Sequence, residues 1–349
     1  MYVFMNEAIS HNVPVTITII IEIVELAKFV INRNLVMSVN AYTQQTFWNA
    51  LYDASESEIL DECNRKSIRM VATDFVLAQG FTWLHLCIPL IEYSGYDDST
   101  RELPFRMHFN WPLAETPYYE IAYVVELFSA MGVTTCAVIF AGYLGTMNFY
   151  TAGQFKILQR TLENSIKDMD KMRVEDLMNR VKFNAICGNI KNCIKQHQLL
   201  ILYIDRIENL FNVIMLIQTL GGVALLCFSG FQILLDDQSS ILRTKMSVVL
   251  LIVSIVQLFL FAWPCHEIIT ESQEVSEAAL RALWFCLPYN SEGRDCRQLL
   301  LIVITRARRP CVLTVGKFAP MSLQTFASVF NTAISYFTVL RQMNESTEQ

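Results

Sequence analysis

The chain has 349 residues, of which 53% are hydrophobic and only 17% charged, with a formal net charge of −6. Soluble domains carry about 25% charged residues, so charge depletion together with long uncharged runs marks an integral membrane protein and leaves no nucleic-acid partner to expect. The 10 cysteines contain no CxxC pair and several sit inside apolar runs, which predicts small buried hydrophobes and not a disulfide framework.

In chain order, residues 13–32 form the first candidate span. Its first half is apolar, whereas Glu22, Glu25 and Lys28 interrupt the second. An intramembrane Glu is costly and invites a functional reading; the plainer expectation places these charges at the membrane boundary or inside a bundle that continues into water. The acidic cluster Glu56, Glu58, Asp61 and Glu62 belongs to a solvated helical connector. Residues 75–91 are the second span and carry Gly80, Trp83 and His85. A loop rich in Pro and aromatics follows to Tyr119, as ordered cover that either lids a pocket or packs on the helix ends. Residues 127–146 lie within an uncharged run that reaches Phe155. The Lys- and Arg-rich residues 156–197 read as two amphipathic helices, and the pattern over 198–235 as a span, 212–235, that continues as an amphipathic helix in water. Residues 247–264 are the fifth span and 266–290 an amphipathic helix. Residues 299–305 are apolar but too short to cross.

Residues 321–340 contain no charged side chain. At 100° per residue, Ser328, Thr332, Ser335, Val339 and Gln342 share a narrow stripe, opposite Phe326, Phe330, Ala333, Ile334, Phe337 and Leu340. A membrane helix with one polar stripe turns it to water or to another helix. Two readings stand: a pore lining, or a polar seam whose small residues (Ala327, Ser328, Thr332, Ala333, Ser335) permit close packing.

Basic residues fix the expected orientation. The connectors after the first, third and fifth spans hold twenty of the 27 Lys and Arg. These loops are therefore cytoplasmic and the C-terminus external. Six spans then place Met1 outside as well, from which one further span preceding Met1 is expected. The resulting organisation is a transmembrane bundle over 1–265, cytoplasmic helices over 266–320, a last span over 321–342 and an external tail over 343–349.

Toward the end of the chain the residues resemble the insect odorant receptors. Arg309-Pro310 is followed at fixed spacings by Gly316-Lys317-Phe318, Pro320-Met321, Thr325-Phe326 and Ser335-Tyr336-Phe337. Weaker matches begin at His197 and at Ser276. Leu280 departs from the family pattern, as does Gly142. The resemblance implies an all-α helical bundle, here six spans of a seven-span fold with cytoplasmic helical extensions, and with it a ligand pocket within 1–265 and an anchor over 266–320. It implies a tuning subunit that joins the odorant co-receptor (Orco) in a heterotetramer, a ligand-gated non-selective cation channel in the plasma membrane of olfactory sensory neurons. On that reading Ser328, Thr332, Ser335, Val339, Gln342 and Met343 line the pore, with Val339 at the gate. Small volatile hydrophobic ligands enter a pocket whose candidates, chosen by depth, are Val15, Ile19, Gly80, Trp83, Leu84, Tyr119, Tyr123, Met131, Val249 and Ile252. Arg306, Arg308 and Arg309 suit membrane lipid head groups. Rival classes fare worse. Asp205-Arg206-Ile207 mimics an acidic-Arg motif of G-protein-coupled receptors but opens a span instead of closing the third. A transporter would carry symmetric broken helices. No HExxH, GxSxG or Gly-rich phosphate loop supports an enzyme or a bound cofactor.

Overall fold

The computed structural model describes residues 2–48, 52–92, 103–105, 115–170, 180–235, 241–282, 284, 287 and 289–347. Eight α-helices account for most of these: α1 (Tyr2–Ile31), α2 (Arg33–Thr43), α3 (Ala54–Glu92), α4 (Tyr118–Asp170), α5 (Arg180–Leu235), α6 (Ile241–Arg281), α7 (Ser291–Ala307) and α8 (Leu323–Thr347). A π-helical turn, Gln44–Trp48, follows α2, and a two-stranded hairpin, β1 (Thr314–Val315) and β2 (Ala319–Pro320), precedes α8.

The sequence periodicity explains the unusual helix lengths. Helices α3, α4, α5 and α6 contain 39, 53, 56 and 41 residues, and each has a stretch long and apolar enough to cross a membrane. At about 1.5 Å per residue they run from ~58 to ~84 Å, against ~30 Å of hydrocarbon. The amphipathic segments expected over 156–197 and 266–290 are thus largely continuations of the spans, with residues 171–179 outside the described set. Helices α1 and α8, of 30 and 25 residues, are also long enough to cross. The half-helix expected near residues 297–305 is longer than its apolar run. It begins at Ser291, where the Asn290 side chain accepts the Gly293 N–H at 2.8 Å; that cap lies in a polar stretch that hydropathy does not register.

Helix α4 packs chiefly on α6 and α3, and α5 joins α6 to α1. Two adjacent glycines make the last contact close from both sides. A Cβ on Gly221 would collide with Ile21 of α1, and one on Gly222 would meet Leu258 of α6 at 2.7 Å.

The densest packing lies on the side expected to be cytoplasmic. Phe155, Leu158, Leu162, Ile190, Leu200, Tyr203, Ile207, Leu210, Ile268 and Leu313 form one buried cluster with Val39 and Phe47 of the N-terminal third. Tyr203 is central: it stacks on Tyr42 at 5.4 Å, meets Phe47 edge-on at 5.2 Å, and shares a 2.8 Å hydrogen bond with Thr43. A polar network closes the neighbouring face. Lys66 bonds Glu267 at 3.1 Å and Glu62 at 3.3 Å, and Lys156 reaches Glu271 at 3.5 Å. The Trp263 indole N–H also donates to Glu267, at 3.2 Å. Burial opposes charge on Lys66, but its carboxylate partners outweigh this and raise its pKa above the ordinary value. Glu271 behaves oppositely, since burial there outweighs Lys156 and raises the carboxyl pKa.

One expectation about cysteine is corrected. Cys63, Cys193, Cys265 and Cys311 are buried free thiols, but Cys187 and Cys296 are joined in a disulfide across 109 residues. Spacing could not reveal it, because only the packing of α7 on α5 brings the two together. Cys87 and Cys136 are exposed, and Cys286 lies outside the described residues.

The hairpin sets the direction of α8. Gly316 and Lys317 both have positive φ, 59° and 66°, the combination of a type I′ turn. The turn docks on α5: the Gly316 N–H donates to the Asn212 carbonyl at 2.9 Å, and the Thr314 hydroxyl to Glu208 at 2.6 Å. A Cβ on Gly316 would lie 2.8 Å from Leu216. Ser322 then caps α8 by accepting the Thr325 N–H at 3.1 Å.

Two stability measurements follow from this packing. Gly316→Ala adds a Cβ at positive φ against Leu216 and is expected to cost about 1–3 kcal/mol, seen as a lower melting temperature of purified protein; unchanged melting would refute the docked turn. His197 is buried against Phe155, and burial, helped by Arg306, lowers its pKa to about 4. Between its ordinary value and about 4 the unfolded chain takes a proton that the folded chain refuses, so stability falls with pH through that window. Near pH ~5 the loss is about 2 kcal/mol. His197→Phe should lose less stability between pH ~7 and ~5 than the parent; equal losses would show that His197 does not titrate this way.

Candidate functional site

The stripe on α8 takes up a definite position. Ser328, Thr332, Ser335, Val339 and Gln342 are all exposed, Val339 at 52%. The opposite face holds the helix to its own bundle. Phe326 meets Phe259 edge-on at 5.9 Å and stacks with Phe330 at 6.2 Å, and the Phe337 ring covers Gly230 of α5. Ile334, expected on that packed face, is instead 45% exposed. It lies two residues from Thr332, and the packed face is narrower than a half-turn. The side chain of Met343 lies outside the described residues, although α8 itself runs on to Thr347, through most of the expected tail.

Two of the three stripe hydroxyls are oriented by their own helix. Thr332 donates to the Ser328 carbonyl at 2.8 Å and Ser335 to the Asn331 carbonyl at 2.9 Å; beside the stripe, Thr338 donates to the Ser335 carbonyl at 2.8 Å. The protons of Thr332 and Ser335 are therefore spent on backbone, and their oxygen lone pairs are what a neighbour or a passing ion would meet. Such a row accepts donors and attracts cations.

At the outer end of the bundle, depth and direction separate. Of the residues chosen by depth, Val15, Tyr119, Tyr123, Met131 and Val249 are partly buried, whereas Ile19, Gly80, Trp83, Leu84 and Ile252 are exposed. Tyr119 and Tyr123 have ring centroids 6.1 Å apart, and the Tyr123 hydroxyl donates to the Leu86 carbonyl at 2.7 Å. Helix α3 turns Ala78, Gln79, Thr82 and Leu86 inward. Gln79 donates to Thr135 of α4 at 2.9 Å, and Ser254 of α6 is also buried. These polar interior positions were missed by hydropathy and depth. Their one sequence signal is the near-helical spacing 78, 79, 82, 86. His85 stacks between Phe81 and Phe105, at 6.2 and 5.3 Å. The Phe105 N–H donates to Glu126 at 3.1 Å, so part of the aromatic loop does cover the helix ends; most of that loop lies outside the described residues.

The anchor residues also divide. Val303, Ala307, Cys311, Leu313 and Val315 are buried in the water-side core. Leu301 and Ile302 are exposed at 62% and 60%. Arg306 bonds the Arg309 carbonyl at 3.0 Å, and the Arg308 and Arg309 side chains are exposed.

Comparison with known proteins agrees with this architecture. The family model described as 7tm Odorant receptor matches residues 5–334. Odorant receptor Or2 of Anopheles gambiae is 25% identical over 228 residues, 65% of this chain and 57% of that protein. Odorant receptor 10 of Aedes albopictus is 28% identical over 229 residues, 66% of this chain and 57% of the other. Odorant receptor 13a of Drosophila melanogaster is 22% identical over 302 residues, 83% and 70% respectively. The first two matches thus span less than two thirds of the relatives' length. Among solved structures, the olfactory receptor OR5 of Machilis hrabei superposes with a TM-score of 0.79 over 96% of this chain and 82% of that one, at 14% identity, a likeness of fold. The G-protein-coupled and transporter readings are not favoured by these matches. With four long apolar helices, a family match over nearly its whole length and a shared fold, this multi-pass membrane chain belongs to the insect odorant receptor family.

Proposed function

We propose that this chain is the odorant-tuning subunit of a ligand-gated, non-selective cation channel, assembled with the odorant co-receptor (Orco) in a heterotetramer. It resides in the plasma membrane of olfactory sensory neurons, with its C-terminus outside. The observation that carries this reading is the α8 stripe. A helix that packs its phenylalanines on its own bundle and presents a row of hydroxyl oxygens away from it has left a face for something else. Four such helices around one axis make a pore whose walls offer lone pairs to cations, with the apolar Val339 as a ring that closes by dewetting. The C-terminus-out orientation rests on the distribution of Lys and Arg. A polar seam between two helices would use the same residues, but it gives no reason for an apolar member at Val339.

The ligand on this reading is a small volatile molecule, apolar over most of its surface. The partly buried Val15, Tyr119, Tyr123, Met131 and Val249 supply walls, and Gln79, Thr82 and Ser254 a few polar points for orientation. Exposed Leu301 and Ile302, on the other side, suit contact between subunits.

Val339→Ala, recorded together with the co-receptor, should raise basal current several-fold or alter ion selectivity, because a smaller side chain dewets less readily. An unchanged channel would remove Val339 from the gate. A C-terminal epitope tag should label intact cells; labelling only after permeabilisation would reverse the orientation.

A further inference from the structure

Three carboxylic acids are buried together inside the bundle with no base to meet them. Glu22 and Glu25 of α1 are 7% and 1% exposed, and Asp74 of α3 is 6% exposed. Glu22 lies within electrostatic reach of both others. Carboxamides from two further helices approach the group: Gln218 of α5 donates to Glu25 at 2.6 Å, and Gln257 of α6 bonds Asp74. Four elements thus converge on one acidic point, below the Gln79–Thr135 pair and toward the cytoplasmic side of the outer pocket.

The hydrogen-bond inventory is lopsided. Glu22 is more than nine-tenths buried, and its Oε2 has no hydrogen-bond partner among the described residues. Glu25 Oε2, Asp74 Oδ1 and Gln79 Oε1 are orphaned too. Every one of these atoms is an acceptor. No Lys, Arg or His among the described residues forms an ion pair with the three acids, and Lys28, one turn beyond Glu25, does not reach them. Uncompensated carboxylates in a low-dielectric interior are strongly unfavourable. The site therefore lacks two things at once, hydrogen-bond donors and positive charge. An alkylammonium head supplies both, with three N–H donors on one cationic nitrogen. A bare metal ion fits less well, since among the described residues no group of three or more His, Cys, Asp and Glu has the geometry to hold one.

We propose that Glu22, Glu25 and Asp74 form a binding site for the ammonium head of a small aliphatic amine, whose alkyl chain extends outward among the apolar walls of the bundle. This rests on reading the chain as a small-molecule receptor, and it narrows the ligand class to amines that are protonated near neutral pH. Gln218 and Gln257 act as positioning residues that hold two of the carboxylates in place.

The test uses the full chain, purified in detergent at neutral pH, with n-butylamine and n-hexylamine as probes against n-butanol and n-hexanol. The amines should raise the melting temperature at concentrations about tenfold below the matched alcohols. Glu22→Gln and Asp74→Asn should abolish that preference while melting no lower than the parent without ligand, since each removes a buried uncompensated charge. A purely structural acid would instead lose stability on substitution. Equal stabilisation by amine and alcohol would place protons, not a ligand, on these oxygens and overturn the proposal, as would amine selectivity that survives both substitutions. Recording the same probes with the co-receptor separates the two readings. Amine-selective stabilisation without any odorant-evoked current would leave the site standing and remove the channel, while current evoked by alcohols as readily as by amines would do the reverse.

Discussion

Everything in this fold depends on the burial of apolar side chains where water is present to drive it. In hydrocarbon, a leucine gains nothing by leaving lipid for protein, so helix association there relies on close packing and polar contacts. Below the membrane the ordinary hydrophobic effect returns. The distribution of buried residues follows this division. Phe155, Leu158, Ile190, Tyr203, Ile207 and Leu313 are wholly enclosed, while many side chains of the apolar spans, such as Ile139, Leu220 and Ile252, remain open on the surface of the single chain. The long helices α4, α5 and α6 are long because they must reach from the lipid to this core. Their water-side ends are the platform, and the spans stand on it.

The platform also determines where the last helix points. Helix α8 has only one face packed on its own bundle, and three phenylalanines cannot by themselves fix an axis. The hairpin before it can. Gly316 and Lys317 turn the chain sharply, the backbone of Gly316 bonds α5 at Asn212, and the Cys311 N–H bonds Ser272 of α6 at 3.0 Å. Met321 closes the same unit by donating to the Leu313 carbonyl at 2.7 Å. The short motif Gly-Lys-Phe followed by Pro-Met is thus a structural hinge pin: glycine where a side chain would strike Leu216, and buried methionine just before α8 begins.

What the sequence made legible was whatever has a period or a charge. The long apolar helices and the α8 stripe are periodic; the segments read as two amphipathic helices over 156–197 are instead largely the ends of α4 and α5. Azimuth was harder. Trp83 and Leu84 stand at the right height but on the exposed side of α3, because depth along a helix says nothing about rotation around it, and an aromatic residue is as much at home in lipid as in a pocket. Pairings distant in the chain were not legible at all. Cys187 with Cys296, Glu25 with Gln218 and Thr314 with Glu208 each need the tertiary fold. Glu22 and Glu25 stand out in the sequence as acids within an apolar run, and both are buried. Their company with Asp74, which a hydropathy window discards as a span boundary, could not be seen.

Helix α5 is where these separate features meet. Gln218 holds Glu25 in the bundle, and Leu216, Asn212 and Glu208, within the next three turns, contact the hairpin that aims α8. That interval is about 15 Å of one helix, without a glycine or proline between Glu208 and Gln218 to absorb bending. Neighbourhood alone does not make coupling; an element must have two arrangements that both sites bias. The acid cluster offers one source of bias, since occupied and unoccupied carboxylates pull on Gln218 differently. The α8 stripe offers the other, since its packed face is narrow and rests on the ring of Phe337 against Gly230 of the same helix. A stiff rod with a carboxyl contact near its middle and α8 resting on both sides of it need move only slightly to alter both.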